Sequence, residues 1–230
     1  FYDFRPSHLF DGVNIRLAIF ISSANSCFTF TSKYNRWYSQ NRNSLFHLLA
    51  YYLSLKSDSH IVVKTASQLE TSIFDKVKGS NSLISDLQLY PLFYHDAILY
   101  WLRGTNFEPS FEGYLSSHIK KAHFNTEKEL YIAIAIFNST LFYWFWTLMS
   151  NSRDLGFEVF RKIKSCLYSE ELKQLVDMLM ADIKRNAVIK ERNQKQTGLV
   201  RYKEFYPVKS KPIIDEIDKV LAKHYGFTDE

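Results

Sequence analysis

The stretch that decides the fold is LYIAIAIFNSTLFYWFWTLM, residues 130–149, which is almost continuously apolar. Thr126 and Glu129 precede it with the spacing of a capping box, which predicts that a helix begins at Thr126. A run of this length suits a helix buried on all sides in a protein core, and it also suits a transmembrane helix. Three polar residues, 138–140, lie at its centre and the flanking charges have both signs, so we expect a buried core helix and no membrane.

The residues before this helix alternate between strand and helix signals. Residues 14–22 and 27–31 are apolar and rich in β-branched or aromatic side chains, which predicts two strands. Apolar residues at helical spacing predict one helix over 39–56 and another over 67–78. A short strand is predicted at 61–64, between the two helices.

A segment rich in Gly, Ser and Asn then interrupts the strand and helix signals. Residues 79–86 read GSNSLISD, and this composition indicates a domain or subdomain boundary. Beyond it, residues 87–103 predict two strands that bend at His95 and Asp96. Residues 117–124 predict one more strand before the apolar helix begins.

The C-terminal part is predicted to be mainly helical. An amphipathic helix is expected over 169–192, an extended basic linker over 193–211, and a last helix from Pro212 to Gly226. Proline suits the first turn of a helix and glycine suits its C-terminal end. Together these elements predict an α+β fold with mixed β-strands, a long buried helix and a helical C-terminal part.

The composition favours a polyanionic partner. The net charge is +5, the isoelectric point is near 9.0, and 17% of the residues are aromatic. Cations attract phosphates and rings stack on bases, although a large core would use the same rings. The two cysteines, Cys27 and Cys166, have no metal-ligand spacing, so we expect reduced thiols in a cytoplasmic protein.

The sequence lacks the motifs of a self-sufficient enzyme. It contains no glycine-rich strand-to-helix turn for a cofactor phosphate, and the spacing of His118 and His123 does not suit chelation. The carboxylates of Asp215, Glu216 and Asp218 belong to the solvated face of an amphipathic helix, not to an acid–base pair. We therefore predict no catalytic residue, no metal site and no cofactor bound by this chain.

The segment SKYNRWYSQNR, residues 32–42, combines cations, amides and aromatic rings. Arg and Asn side chains read base edges through paired hydrogen bonds, and rings stack on bases or wedge between them. The candidates for DNA contact in this segment are Lys33, Tyr34, Asn35, Arg36 and Trp37. In the alternative interpretation, Trp37 and its neighbour simply close the corner between a strand and a helix.

Four more cations are candidates for DNA contact. Arg103, Lys120 and Lys121 are predicted to lie on or beside strands, and Arg153 lies in the polar SNSRD loop after the apolar helix. In a polar loop at the end of a buried helix, a rigid scaffold can present a side chain that contacts DNA bases. An ion pair between Arg153 and Asp154 would explain the same loop equally well.

The densest basic run covers residues 184–211. It contains nine Lys and Arg residues against two acidic ones, interleaved with Tyr202, Phe205 and Tyr206. This composition is typical of contact with a nucleic-acid backbone. It is equally typical of a solvated linker that packs against a neighbouring domain.

A set of short segments carries a family resemblance: 5–13 (RPSHLFDGV), 16–21, 31–37 (TSKYNRW), 100–103 (YWLR), 106–109 (NFEP), 136–144 (IFNSTLFYW), 152–154 (SRD), 204–207 (EFYP), 211–218 (KPIIDEID) and 224–227 (HYGF). In this order they resemble the C-terminal, target-recognition part of large adenine-specific DNA methyltransferases. These enzymes belong to restriction–modification systems and include fused restriction–methylase enzymes. The resemblance covers nearly the whole chain.

The resemblance implies a division of the chain. Residues 1–30 would be the truncated end of the methyltransferase sheet, 31–168 the target recognition domain, and 169–230 a helical C-terminal segment with the basic linker. The parent enzyme would use S-adenosylmethionine to methylate the amino nitrogen of a flipped-out adenine. The family's catalytic tetrapeptide, Asn or Asp followed by Pro-Pro and an aromatic, is absent here, so no catalytic residue is carried over.

We therefore expect a DNA-binding specificity fragment. Its partners would be double-stranded DNA and the missing N-terminal catalytic domain. The alternative is a protein-interaction module whose aromatic and basic residues dock on a partner or on that catalytic domain. Binding that is insensitive to salt would favour the alternative, because phosphate contacts weaken steeply as salt rises.

Overall fold

The structure is a computed structural model, and it combines helices with antiparallel sheets. The predicted α+β fold class is thus confirmed. The residues that the structure describes are 1–3, 5–25, 28–54, 62–81, 83, 89–98, 101–195 and 198–228.

The helices and strands are short, with one helix of 16 residues as the longest element. The α-helices are α1 (Gln68–Val77), α2 (Glu127–Asn138), α3 (Thr140–Met149), α4 (Glu170–Arg185) and α5 (Lys211–His224). The strands are β1 (Phe30–Thr31), β2 (Tyr52–Leu53), β3 (Tyr90–His95), β4 (Gly104–Thr105), β5 (Ile119–Phe124), β6 (Val188–Gln194) and β7 (Gly198–Glu204). These bounds confirm the predicted helix at 67–78 and the predicted strand at 117–124.

The chain forms two compact units. Unit 1 consists of Phe1–Lys76 and Phe145–Asp154, and unit 2 consists of Val77–Trp144 and Leu155–Glu230. Unit 1 contains the two-stranded sheet of β1 and β2. Unit 2 contains a three-stranded antiparallel sheet in the order β4-β3-β5 and the hairpin of β6 and β7.

The long apolar helix is interrupted at Ser139, so the prediction of one continuous helix is wrong. The helices α2 and α3 meet there at an angle of 70°. Ser139 has extended backbone angles, and its hydroxyl donates to the carbonyl of Ile136 (2.6 Å) and accepts from the amide of Phe142 (3.0 Å). One hydroxyl therefore ends α2 and caps α3, which partly satisfies the backbone groups that a break leaves without helical partners. The predicted capping box of Thr126 and Glu129 at the start of α2 is confirmed.

Asn138, the last residue of α2, joins this helix to the sheet. It is 2% exposed, its Oδ1 accepts from the amide of Gly104 (3.2 Å), and its Nδ2 donates to the carbonyls of Gly104 (2.9 Å) and Ile134 (2.8 Å). A Cβ at Gly104 would lie 2.9 Å from the ring of Phe137, so only glycine allows this approach of β4 to α2.

The N-terminus of α3 is held by an acidic residue of α5. The carboxylate of Asp218 accepts from the backbone amides of Thr140 (2.9 Å) and Leu141 (3.5 Å), as expected for an anion at the positive end of a helix. Burial nevertheless raises the pKa of Asp218 above its ordinary value. The sequence-based placement of Asp218 on a solvated face is therefore wrong, because the adjacent helix start covers this carboxylate.

The prediction of an extended basic linker over residues 193–211 is also wrong. The strands β6 and β7 form an antiparallel hairpin that pairs Val188 with Glu204 and Gln194 with Gly198 at its two ends. The helix before it ends at Arg185, seven residues earlier than predicted, because β6 already begins at Val188.

The N-terminal third of the chain departs most from the sequence pattern. Residues 14–22 form no strand, and only Leu17 among them makes a β-bridge, to Tyr2. The predicted helix over 39–56 is reduced to a 3₁₀ helix at Ser39–Ser44, followed by turns and β2. Residues 27 and 61, which the two other predicted strands include, lie outside the described residues. The side chains of Ile19, Phe20 and Ile21 are 48–91% exposed, so the apolar pattern here has no covering layer that would fix it as a strand.

Among the described residues, no single helix is both long and apolar enough to cross a membrane; the bent pair of α2 and α3 meets that length and composition only when the two are taken together. Most of α2 is buried within the protein, from Leu130 to Asn138.

We expect Asn138→Ala to lower the free energy of unfolding by about 3 kcal/mol, because the change leaves the buried amide and carbonyl of Gly104 without partners. Chemical denaturation monitored by circular dichroism measures the change. The matched control is Asn106→Ala, an exposed asparagine two residues beyond Gly104, for which we expect a change within about 0.5 kcal/mol. Equal effects of the two substitutions would contradict the role of Asn138.

Candidate nucleic-acid interface

The candidate Asn35 is held by the N-terminal segment of unit 1. Its backbone amide donates to the carbonyl of Phe1 (2.9 Å), and its carbonyl accepts from the amide of Asp3 (2.9 Å). Its Nδ2 lies within hydrogen-bond distance of the carbonyls of Phe1 (3.3 Å) and Lys33 (2.7 Å) and of the hydroxyl of Ser32 (3.2 Å). The amide donor of Asn35 is thus engaged in fixing the turn at residues 32–35.

The three neighbouring polar candidates differ in exposure. Lys33 is exposed, and the half-buried hydroxyl of Tyr34 accepts from Nε of Arg16 at 2.7 Å. Burial, and next the negative charge of Asp3, raises the pKa of Tyr34 above its ordinary value. Arg36 is 54% exposed and its Nε lies 3.5 Å from the buried carboxylate of Asp3. Lys33 and Arg36 are therefore the residues of this group that present charge to solvent.

Trp37 packs inside unit 1. It is 4% exposed and belongs to a core cluster with Tyr2, Leu9 and Leu45, while the guanidinium of Arg42 lies 5.0 Å from its ring centre. This burial matches the alternative interpretation in which Trp37 closes a corner of the chain, and it leaves the ring no free face for a base. Tyr38, the next residue, is 57% exposed.

Arg153 lies in a tight turn after α3. The side chain of Asn151 accepts from the amides of Arg153 (2.9 Å) and Asp154 (3.2 Å), and Ser152 has a positive φ of 57°. The Nε of Arg153 is 3.9 Å from the carboxylate of Asp154, and both side chains are more than 60% exposed. An exposed pair at this distance contributes little to stability, so the guanidinium stays accessible.

The candidate Arg103 belongs to unit 2 and stacks on an aromatic ring. Its guanidinium carbon lies 4.4 Å from the ring centre of Phe205, which in turn lies 6.1 Å from the ring of Phe107. Burial lowers the pKa of Arg103 to about 10, so this side chain stays protonated at neutral pH. The contact fixes the position of a charge that an exposed arginine would leave mobile.

Lys120 and Lys121 lie on β5 and have different partners. The Nζ of Lys120 lies 3.4 Å from the carboxylate of Asp96 and donates to the carbonyl of Ser117 at 3.0 Å. The Nζ of Lys121 lies 3.1 Å from the carboxylate of Glu108 and 5.0 Å from the ring centre of Phe93. Lys121 is therefore tied to the loop that also contains Phe107.

A cleft in unit 2 gathers further cations. It has a volume of about 120 Å³, and its lining includes Phe107, Phe205, Lys184 and Lys203. The Nζ of Lys184 lies 4.4 Å from the ring centre of Phe107. We call the basic–aromatic surface of unit 2 the set formed by Arg103, Phe107, Phe111, Lys121, Lys184, Arg201, Lys203 and Phe205.

The basic–aromatic surface continues from the cleft to Phe111. Arg201 and Lys203 lie 5.7 Å and 5.2 Å from the ring centre of Phe111, and Arg201 also pairs with Glu112 at 2.6 Å. Lys184, Arg201 and Lys203 belong to the basic run of residues 184–211 that the sequence analysis singled out, and Phe107 belongs to the 106–109 segment of the family resemblance. Nothing in the sequence indicated Phe111, whose ring becomes part of this surface only when the loop and the hairpin meet.

The described residues contain no group of three or more His, Cys, Asp or Glu side chains that could hold a metal ion. Cys166 is buried with a free thiol, and burial raises its pKa to about 11. Comparison with known proteins adds no assignment: no protein-family model, no curated protein and no solved structure matches this chain.

We expect Trp37→Ala to destabilise unit 1 by about 3–5 kcal/mol, the usual result of removing a large side chain from a packed core. Thermal denaturation and the chemical-shift dispersion of a one-dimensional proton NMR spectrum measure the loss of stability. Tyr38→Ala is the matched control, because Tyr38 is the adjacent ring and is exposed. If Trp37→Ala left the melting temperature unchanged and weakened DNA binding instead, the ring would be a contact residue.

Proposed function

We propose that this chain is the DNA-binding specificity part of an adenine-specific DNA methyltransferase from a restriction–modification system. The observation that supports DNA binding is the basic–aromatic surface of unit 2, where the side chains of Lys and Arg residues lie over aromatic rings. The methyltransferase context rests on the ordered set of segments that resemble that family.

The fixed cations suit phosphate binding. Flexible lysines on a solvated surface lose side-chain entropy when they bind, whereas Arg103 and Lys184 are already placed by their contacts with Phe205 and Phe107. Two carboxylates, those of Glu108 and Glu112, neutralise part of the charge nearby. The net charge of +5 nevertheless leaves an excess of cations for a polyanion.

Within a methyltransferase, the role of this chain would be to position the DNA for the catalytic part. Phosphate contacts fix the register of a protein on the duplex, and side chains in a groove then select the sequence. Adenine methylation needs the base outside the stack, and S-adenosylmethionine in the catalytic part supplies the methyl group. We assign no residue of this chain to that cofactor or to the methyl transfer, since the family's catalytic tetrapeptide is absent from its sequence.

We expect the chain to bind duplex DNA with an affinity that falls steeply with salt, and Lys121→Gln/Lys184→Gln to reduce the slope by about 2, since each phosphate contact contributes about 0.9. Titration of labelled random duplex at four salt concentrations measures this slope. The control is Lys219→Gln/Lys223→Gln, which removes the same charge from exposed positions of α5. Salt-insensitive binding, or equal slopes for the two variants, would contradict the proposal.

A second function, docking on a protein partner, is favoured by a separate observation in unit 1. Phe20, Ile21, Phe28 and Phe30 are 60–91% exposed. A folded protein seldom leaves several large apolar side chains this exposed unless a partner covers them. We propose the N-terminal catalytic half of the parent enzyme as the partner that covers these side chains.

We expect Phe20→Ser/Ile21→Ser to weaken association with that catalytic half by at least about tenfold, because each buried large side chain contributes about 1.5–3 kcal/mol. Co-elution and methyl transfer with the two halves mixed in trans measure the effect. Leu167→Ser/Val208→Ser, which changes two equally exposed side chains of unit 2, serves as the control. Unchanged co-elution with Phe20→Ser/Ile21→Ser would assign the interface elsewhere.

A further inference from the structure

The cleft of unit 2 lies where three segments that are distant in the sequence meet: the loop after β4, the end of α4 and the end of β7. Its lining includes Phe107, Glu108, Ser110, Lys184, Lys203 and Phe205. All six residues belong to unit 2 and to the described part of the chain. The cleft therefore lies within one compact unit.

The size of the cleft limits what it can hold. Its volume of about 120 Å³ is less than half of the roughly 300 Å³ at which pockets for drug-sized molecules begin. A single compact group fits this space, and the remainder of a larger ligand would lie outside it. The cleft is therefore suited to one chemical group of an extended ligand.

Two cations of the lining, Lys184 and Lys203, have no acidic partner among the described residues. Their Nζ atoms lie 4.4 Å from the ring centre of Phe107 and 5.2 Å from that of Phe111, respectively. A ring attracts a cation through its quadrupole and does not neutralise the charge. Both ammonium groups therefore keep their charge and hydrogen-bond donors for a ligand.

The acidic side chain of the lining, Glu108, is neutralised by a neighbour. Its carboxylate lies 3.1 Å from the Nζ of Lys121. Lys121, Lys184 and Lys203 against this one carboxylate leave a local net charge of +2. The C-terminal end of α4, next to the cleft, opposes an anion with only about half a negative charge. The positive charge therefore dominates.

Arg103 adds positive charge beside the cleft. It is half-buried, and its guanidinium carbon lies 4.4 Å from the ring centre of Phe205, which lines the cleft. Burial lowers the pKa of Arg103 to about 10, and no carboxylate of the described residues pairs with it. Desolvation of an unpaired charge costs free energy, and an anion in the cleft would offset part of that cost.

The donors of the cleft suit a phosphate better than a carboxylate. A lysine ammonium is a compact point charge that binds phosphate, whereas the planar carboxylate is matched best by the fork of an arginine. Ser110 also lines the cleft, and a serine hydroxyl can donate to a phosphate oxygen. A local charge of +2 balances the charge of about −1.5 to −2 on a phosphate monoester at neutral pH.

We propose that this cleft binds one phosphate group, held by Lys184 and Lys203 with Ser110 as a further donor. The inference rests on the proposed DNA-binding function, since the backbone of bound DNA is the expected source of the phosphate. The phosphate of a free nucleotide has the same chemistry and is the other source. A phosphate seated in the cleft fixes the register of the chain on its ligand at one point.

The first measurement is a titration of the full chain with inorganic phosphate, followed in proton–nitrogen correlation NMR spectra at constant ionic strength. We expect saturating shifts of the backbone amides near the cleft, in residues 107–110, 184–187 and 203–205, with one phosphate bound per chain. Constant ionic strength separates binding at a site from general screening of charge, because screening depends on ionic strength and not on the identity of the anion.

Substitutions then test the two lysines. Lys184→Gln/Lys203→Gln should weaken phosphate binding at least about tenfold, because hydrogen bonds to charged groups are lost. Lys184→Arg/Lys203→Arg keeps both charges and should retain most of the affinity. Lys219→Gln/Lys223→Gln, which removes the same charge from exposed positions of α5, should bind phosphate as the wild type does. All of these side chains are exposed, so the melting temperatures should stay equal.

Two competitors identify the source of the phosphate. A short DNA duplex and thymidine 5′-monophosphate are each added to the chain saturated with inorganic phosphate. Displacement by the duplex, together with weaker duplex binding by Lys184→Gln/Lys203→Gln, assigns the cleft to the DNA backbone. If only the nucleotide displaces phosphate and the chain binds no duplex, the phosphate site stands and the proposed function fails.

The inference itself fails on a different result. Shifts that do not saturate, shifts spread over the whole surface, or equal phosphate binding by the Lys184→Gln/Lys203→Gln variant and the Lys219→Gln/Lys223→Gln control would show that the cleft holds no phosphate. If duplex binding with a steep salt dependence persisted alongside such a result, the proposed function would stand and its phosphate contacts would lie on other cations of the basic–aromatic surface.

Discussion

The interruption of the apolar helix at Ser139 is the constraint on which unit 2 depends. Without the break, residues 127–149 would form one straight helix about 34 Å long, and the amide of Thr140 would not be free to donate to Asp218 of α5. The break costs helical hydrogen bonds, and the hydroxyl of Ser139 and the carboxylate of Asp218 supply partners for the freed amides of Phe142, Thr140 and Leu141. Because Asn138 binds Gly104 and Asp218 binds Thr140, β4 and α5 are both held by the residues on either side of Ser139.

The sequence predicts those features of the fold that depend on nearby residues. The capping box of Thr126, the helix at 67–78 and the strand at 117–124 are set by local spacing, and the structure confirms them. The helix break depends on partners 34 and 78 residues away, Gly104 and Asp218, which no local pattern indicates. The apolar pattern of residues 14–22 predicts a strand, yet a strand needs a neighbour to pair with. Among the described residues of unit 1, the one β-bridge to this segment joins Leu17 to Tyr2.

The candidate site follows the same division between local and distant information. Charge and residue type identify cations such as Arg103 and Lys121 from the sequence, because they need no partner to be recognised. Their placement over Phe205 and Phe93 depends on which loop meets which strand. Trp37 shows the converse: an aromatic beside cations suggests stacking on a base, but its burial with Tyr2 and Leu9 is a tertiary fact. Composition therefore indicates the chemistry of an interface, and packing determines which residues of the suitable types are accessible to a partner.

Under the proposed function, the cations of unit 2 would have two different roles. Cations over rings, such as Arg103 and Lys184, are fixed before any ligand arrives, so binding phosphates through them would cost little side-chain entropy. A base reader must instead exchange water for base edges without first breaking a protein ion pair, since a broken pair subtracts from the free energy of discrimination. On the β6–β7 hairpin, Lys190 and Arg201 are engaged by Glu204, Glu112 and Glu191, while the exposed side chains of Arg192 and Lys195 have no acidic partner among the described residues. The ion pairs therefore lie in the half of the hairpin that Glu112 and Phe111 anchor within unit 2.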